Sequence, residues 1–344
     1  MSYTVLNPWV AWLSVLALHF QPVPVTSTYF IVSVVYSVCL TFARVSALVN
    51  KHIAYRWPRA VRLDAGKEGE VIVVTGGASG LGLLIVRAYA LRGFRVAVLD
   101  VQQVENDDHY GRVCCYRCDV GNREQVESTR SRIEKDVGLC FIYLAALCSD
   151  FSQLGTPTVL INCAAARING LPLLSLPAES VQRTIQTNLF AAFNTCQTFL
   201  PGMLAARNGG TIVTVSSVLG RLTPACLSDY SASKAGLSAL HATLEAELCA
   251  SAHDNKVKMI LVEIGQMSTP LFERIKTPSE FFAPVLEPTQ VAQEIVSAID
   301  SGRGGIIRLP TFAALVNWYA VLPVSLQRMA RSLSGIDLAV AKAT

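Results

Sequence analysis

The run VIVVTGGASGLG, from Val71 to Gly82, decides the fold. Five residues rich in β-branched side chains read as a strand. The glycines that follow let the backbone turn tightly, and the chain then enters LLIVRAYALRG, a helical pattern. A strand, a glycine-rich turn and a helix in that order bring backbone N–H groups and the positive end of a helix dipole to one point, where a pyrophosphate can bind. The next β-rich run, VAVLD, ends in Asp100, 24 residues after Gly76. A carboxylate near that spacing accepts hydrogen bonds from an adenosine ribose and repels a 2′-phosphate, which favours NAD(H) and leaves NADP(H) as the alternative. Thr75, Gly76, Ser79, Gly80, Leu81, Gly82 and Asp100 are therefore candidate cofactor-binding residues.

The same alternation continues outward. β-rich runs lie at Val71–Thr75, Arg95–Asp100, Val113–Asp119, Thr158–Asn162, Thr211–Ser216, Lys256–Glu263 and Gly305–Leu309. Helical stretches between them start near Gly80, Arg123, Ala178, Asp229 and Thr289, and the last stops at Gly302. Seven strands alternating with helices predict an α/β protein of Rossmann type, a doubly wound seven-stranded parallel sheet. Asp119 and Val120, ending the third strand, and Asn162, ending the fourth, fall at the sheet edge where such folds bind ligands.

Before this domain the chain is greasy. It has 344 residues, 51% hydrophobic and 16% charged, with a mean hydropathy of +0.40. Ordinary soluble domains carry about 25% charged residues, and disorder is excluded. The runs WVAWLSVLALHF (Trp9 to Phe20) and YFIVSVVYSVCLTFARVSALV (Tyr29 to Val49) hold much of the excess. One is short and the other is interrupted by Arg44 for a crossing that takes about 20 apolar residues. A single span, a hairpin hinged at Pro22 and Pro24, and an interfacial anchor all fit. No cation precedes Trp9, so a signal peptide is not indicated. Lys51, Arg56, Arg59 and Arg62 follow without an intervening acid, which suits a cytoplasmic flank on anionic headgroups. The division expected is a membrane anchor and basic linker over 1–64, a catalytic domain over 65–309 and a hydrophobic or amphipathic tail over 310–344. A net charge of +4 with no further basic cluster argues against nucleic acid. The ten cysteines show no paired metal or disulfide spacing and read as free thiols; Cys114, Cys115 and Cys118 lack a partner His, so no metal site is expected.

A second constellation carries chemistry. Tyr230 and Lys234 stand four residues apart before LSALHATLEAEL, so they share one face of a helix. A phenol of pKa about 10 is a poor base at neutral pH, and a nearby cation favours its phenolate. Thirteen residues before Tyr230, the fifth strand ends in Ser216 and Ser217, which puts a hydroxyl at the same sheet edge.

Together these residues resemble the short-chain dehydrogenase/reductase family, from about Glu70 to about Leu309. The resemblance rests on Thr75-Gly76-x-x-x-Gly80-x-Gly82, the Asn162 strand end, Ser217 and Tyr230-x-x-x-Lys234 in order and spacing. It implies a catalytic set of Asn188, Ser217, Tyr230 and Lys234. Tyr230 is then the general acid/base and Ser217 holds the substrate oxygen. Lys234 lowers the tyrosine pKa and binds the nicotinamide ribose, while Asn188 holds a proton-relay water. Thr269, closing Ile264-Gly265-Gln266-Met267-Ser268-Thr269, meets the nicotinamide carboxamide in the same comparison. Three departures stand out: after Asn162, Cys163 and Ala165 stand where the family usually has a second Asn and a Gly, Ile264 replaces a proline, and a hydrophobic stretch interrupts residues 139–155. That stretch is either a membrane-contacting insertion or a retained intron.

With a greasy run at each end, the chain looks like the membrane-associated branch that includes retinol, hydroxysteroid and long-chain alcohol dehydrogenases. The resemblance implies a lipophilic alcohol or carbonyl substrate, a membrane partner at the endoplasmic reticulum or lipid droplet with the catalytic domain facing the cytoplasm, and room for a homodimer. An NADPH-dependent carbonyl reductase and a non-catalytic nucleotide-binding scaffold are the competing readings.

Overall fold

The computed structural model describes residues 8–20, 24, 26–54, 70–102, 112–142, 157–253, 256–273, 275, 277, 283–302 and 304–340. Two compact units emerge, Met1–Arg56 and Trp57–Thr344.

The first unit is a helical hairpin of α1 (Pro8–His19) and α2 (Thr28–Ala54). Polar side chains stitch the two helices: Trp12 Nε1 donates to Thr41 Oγ1 at 2.8 Å, and Ser14 and Ser33 hydroxyls lie 3.1 Å apart. Twelve residues of α1 rise about 18 Å, short of the hydrocarbon thickness, whereas α2 is long enough. Thr28–Ser46 of α2 is apolar enough to cross a membrane. Arg56, Arg59 and Arg62 lie outside the described residues.

The second unit is built on seven parallel strands: β1 (Val71–Thr75), β2 (Arg95–Asp100), β3 (Val113–Arg117), β4 (Pro157–Asn162), β5 (Gly210–Ser217), β6 (Val257–Ile264) and β7 (Gly305–Leu309). Their order is β3-β2-β1-β4-β5-β6-β7, so the winding reverses between β1 and β4. The helices are α3 (Gly80–Leu91), α4 (Arg123–Ile142), α5 (Ala178–Ile185), α6 (Ala191–Ala205), α7 (Leu219–Leu222), α8 (Ser228–Ala250) and α9 (Pro288–Asp300), followed by α10 (Val316–Val321) and α11 (Val324–Ser334).

Strand periodicity sorts the core into two layers. Ile72, Val74, Val96 and Val98 pack with Ile85 and Tyr89 of α3 and Ile295 of α9 on one face. Val71, Val73, Ala97 and Leu99 pack with Val126 of α4 and Phe199 and Met203 of α6 on the other. Each fully buried aliphatic side chain contributes about 1.5–3 kcal/mol, so neither layer is dispensable.

The third strand is shorter than its sequence run. Cys118 N still bonds Asp100 O, but Asp119 leaves the ladder: its N–H goes to Gln125 Oε1 and its carboxylate caps Gly121 N. The hydrophobic interruption at 139–155 falls largely outside the described residues, with α4 reaching Ile142.

The tail folds back on the sheet domain. Ala313 and Val316 pack on Val218, and Val340 joins the core layer of α3 and α9. Arg331 donates to the carbonyls of Leu222 at 2.7 Å and Thr223 at 3.0 Å and pairs with Asp337, which accepts from Ala225 N.

Candidate active site

Where the winding reverses, the C-terminal ends of β1, β2, β4, β5 and β6 open into a cleft of about 810 Å³. One wall is the glycine turn. Gly76 and Gly80 adopt φ of +68° and +54°, which L side chains rarely do. A Cβ on Gly82 would sit 2.2 Å from Gly76 O, and one on Gly76 would meet Ala164 Cα at 2.7 Å, so the turn is closed against its own backbone and the β4 loop. Ser79 precedes α3 in extended conformation with no side-chain cap, leaving the helix N–H groups turned to the cleft. These features fit a pyrophosphate.

Asp100 stands beside the turn, its Oδ2 accepting from Ala78 N and its Oδ1 from Gln102 N, each at 3.0 Å. The carboxylate is thereby fixed at the cleft wall with lone pairs left over for ribose hydroxyls. Asp119 and Val120 line the far end. Across the cleft, Thr269 Oγ1 is buried without a hydrogen-bond partner, an orphan of the kind a bound amide would satisfy. The residues present therefore fit a nicotinamide dinucleotide.

The reactive side chains come from β5 and α8. Tyr230 is 2% exposed and packs edge to face on Phe272 with ring centroids 6.4 Å apart. Lys234 Nζ donates to Val215 O at 2.9 Å and lies 5.7 Å from the Tyr230 ring centroid. Ser217 Oγ donates to Ile264 O at 3.1 Å and accepts from Leu219 N. Burial pushes the Tyr230 phenol well above its ordinary value, opposed by the Ser217 hydroxyl. Burial also brings the Lys234 ammonium down to about 8. The Lys234 ammonium is held by the Val215 carbonyl on the same side of the cleft as the Tyr230 ring.

Four of the expected site residues, Thr75, Asn162, Asn188 and Ser217, are not part of the cleft lining, Ser217 lying just behind Ser216 with its hydroxyl on Ile264 O. Thr75 Oγ1 accepts from Cys163 N at 3.1 Å and Ala164 N at 3.2 Å, tying β1 to the β4 loop. Asn162 accepts from Thr195 Oγ1 at 2.7 Å and reaches Cys196 Sγ, both on α6. A buried amide must be satisfied, and α6 supplies the partners. Asn188 lies in a π-turn, Gln186–Phe190, not in the regular helix its sequence suggests. Its Oδ1 accepts from Ala166 N at 2.7 Å and its Nδ2 donates to Ser233 Oγ at 2.9 Å, which in turn donates to Tyr230 O. Asn188 thus clamps the β4 loop to the helix carrying Tyr230 and Lys234.

The departures from the family pattern are accommodated. None of Cys163, Ala164 and Ala165 needs a positive φ, so a glycine is not required there. Ile264 keeps its ladder register opposite both Ser217 and Leu309.

Other residues escaped the sequence reading. Cys163, Met267, Leu271 and Phe272 line the cleft, as do Arg167 and Arg183. Asp229, next to Tyr230 and 3% exposed, accepts from Asn169 Nδ2 at 2.6 Å and Thr184 Oγ1 at 2.8 Å. Its position beside the tyrosine was the only available signal. Among the described residues no three His, Cys, Asp or Glu side chains cluster to hold a metal ion.

Comparison with known proteins agrees with the geometry. The short chain dehydrogenase family pattern matches residues 70–280. Human retinol dehydrogenase 10 is 32% identical over 265 residues, covering 67% of this chain and 72% of its own. The oxidoreductase YDL114W of Saccharomyces cerevisiae is 28% identical over 274 residues, covering 77% and 82%. In structure, a short chain dehydrogenase from Burkholderia cenocepacia, solved in complex with NADP, superposes with a TM-score of 0.60 at 24% identity, covering 77% of this chain and 98% of that one. The chain belongs to the short-chain dehydrogenase family, among relatives that include retinol dehydrogenases, and is an NAD(P)-dependent oxidoreductase acting on CH–OH groups.

Proposed function

We propose that this enzyme is held on a membrane and interconverts an alcohol and a carbonyl on a lipophilic substrate of the retinoid, steroid or long-chain class, with NAD(H) as its preferred cofactor. When bound, the nicotinamide supplies the hydride acceptor or donor. The observation that carries the reading is the convergence of the glycine turn, the unpartnered Thr269 hydroxyl and the buried Tyr230 on one cleft. Gly76, Ser79, Gly80, Leu81 and Gly82 would hold the pyrophosphate, Asp100 the adenosine ribose, and Thr269 the carboxamide. Asp119 and Val120 would border the adenine.

Tyr230 Oη takes the proton of the substrate hydroxyl during oxidation and returns it during reduction. Ser217 holds the substrate oxygen beside it. With its pKa brought down to about 8, Lys234 is still mostly an ammonium at neutral pH, and its charge favours phenolate. Asn188 fixes the helix that carries both groups. Met267, Leu271 and Phe272 give the cleft an apolar wall, which supports a lipophilic substrate. Support for NAD(H) comes from Asp100 together with the lack of any Lys or Arg in Gly76–Gly82 or at Val101 and Gln102. Membrane attachment rests on α2, and the cations Lys51, Arg56, Arg59 and Arg62 favour a cytoplasmic catalytic domain at the endoplasmic reticulum or lipid droplet.

The test is an activity screen of membranes carrying the full chain against retinoids, steroids and long-chain alcohols and aldehydes, with both cofactors. Turnover of one lipophilic class with NAD(H) is expected. Turnover confined to small water-soluble carbonyls with NADPH would overturn the reading.

A further inference from the structure

Helix α11 buries none of its side chains fully, and what ties it to the protein is polar: Gln327 Nε2 donates to Leu322 O at 2.8 Å, and Arg331 holds the carbonyls of Leu222 and Thr223. Its apolar stripe, Leu326, Met329 and Leu333 at i, i+3 and i+7, points outward, 42%, 55% and 80% exposed. On α10 the pattern repeats: Val316 is buried on Val218, while Trp318 and Val321 are 71% and 74% exposed. Folding normally buries such a stripe; leaving five large apolar side chains in water over two consecutive helices marks a contact surface.

We propose that α10 and α11 lie in the headgroup region of a bilayer, a second membrane contact separate from α1 and α2. The proposal rests on the membrane part of the reading above and on none of its substrate part. Composition selects lipid as the occupant. From Phe312 to Ile336 the chain carries no Asp or Glu, and its free cation Arg328 is exposed beside the stripe. The acid that follows, Asp337, is neutralised by Arg331. A surface of leucine, methionine and valine with a tryptophan and arginine and no acid matches an anionic lipid interface, where the ring sits at headgroup depth and the guanidinium meets phosphate. The attachment is also rigid: Arg331 and Asp337 pin α11 to residues 222–225, the link between Ser217 and Tyr230. A tail seated on lipid therefore holds the active-site segment close to the bilayer.

The full chain is incorporated into phosphatidylcholine–phosphatidylserine vesicles containing a phospholipid with a diazirine near the glycerol. After illumination, labelled peptides are mapped. Label is expected on 312–334 as well as on α2. In the double variant Leu326→Gln, Leu333→Gln, label on 312–334 should fall about tenfold, with label on α2 unchanged. Omitting phosphatidylserine should weaken the tail signal about fivefold. Label on α2 without label on 312–334 overturns the proposal and leaves the N-terminal anchor standing. Label on 312–334 without α2 does the reverse. A tail unlabelled in vesicles but cross-linked between copies would assign the stripe to a second copy of this chain, and label on neither segment would refute both ideas.

Discussion

Asp229→Ala should be one of the costliest single changes outside the reacting groups. Asp229 is 3% exposed and accepts from Asn169 Nδ2 at 2.6 Å and Thr184 Oγ1 at 2.8 Å, joining the β4 loop and α5 to the first turn of α8. Hydrogen bonds to a charged group contribute about 1.5–3 kcal/mol each. Their loss is partly offset because the other carboxylate oxygen, Oδ1, is buried without a partner and its removal returns about 1–3 kcal/mol. The net cost is about 2–3 kcal/mol, which in a unit of this size lowers Tm by about 3–5 °C. Asp229→Asn keeps one acceptor and should lose about half as much. Since Tyr230 is the next residue, kcat should fall about 10- to 100-fold with KM little changed, the signature of a misplaced reacting group. Thermal unfolding of the purified full chain in detergent, alongside steady-state kinetics, checks both parts. An Ala variant with wild-type Tm and kcat would show that the buried network neither supports nor positions the helix.

Tyr230→Phe keeps the ring packed on Phe272 and removes the proton-transferring oxygen, so kcat/KM should fall about 10²- to 10⁴-fold with Tm preserved; near-normal turnover would reassign the acid/base. Asp100→Ala should shift the NAD(H)-to-NADP(H) ratio of kcat/KM toward NADP(H) by about 1–3 kcal/mol, and an unchanged ratio would move the selection elsewhere. His241, buried against Thr214 Oγ1 at 3.0 Å, has its pKa drawn down to about 4 by burial. The unfolded chain takes up that proton first, so stability is full above about pH 6.5 and falls by about 3 kcal/mol as pH drops toward 4. Urea midpoints at pH 7 and pH 5 should converge in His241→Gln, and an equally steep pH dependence in the variant would clear the histidine.

How far the sequence could be read depended on whether a feature was local. The runs at Val71–Thr75, Arg95–Asp100 and Gly305–Leu309 match their strands residue for residue; burial on both faces leaves near-continuous apolar stretches in the first two, and glycine and proline bound the third, an edge strand. The glycine turn was equally legible, since its backbone demands are met within seven residues. What escaped depends on partners far along the chain. Thr75, Asn162 and Asn188 carry residue types suited to a site, yet each spends its polar atoms on a neighbour more than 20 residues away. The π-turn at Gln186–Phe190 leaves no mark in the apolar period. In the tail, the sequence shows that α11 has a polar and an apolar side; which of them meets the protein is set by carbonyls at Leu222 and Thr223, over 100 residues earlier.

The clamp around the β4 loop makes one mechanical train of what look like two half-sites. Gly76 presses on Ala164, Thr75 grips the same loop, Asn188 carries the linkage to Ser233, and Ser233 bonds the carbonyl of Tyr230. A strain introduced at the phosphate turn has no slack segment in which to dissipate before it reaches the phenol. Lesions in residues 163–166 should therefore register as combined losses of nucleotide grip and proton transfer, and suppressors of such lesions should arise on α8 as readily as beside the glycines.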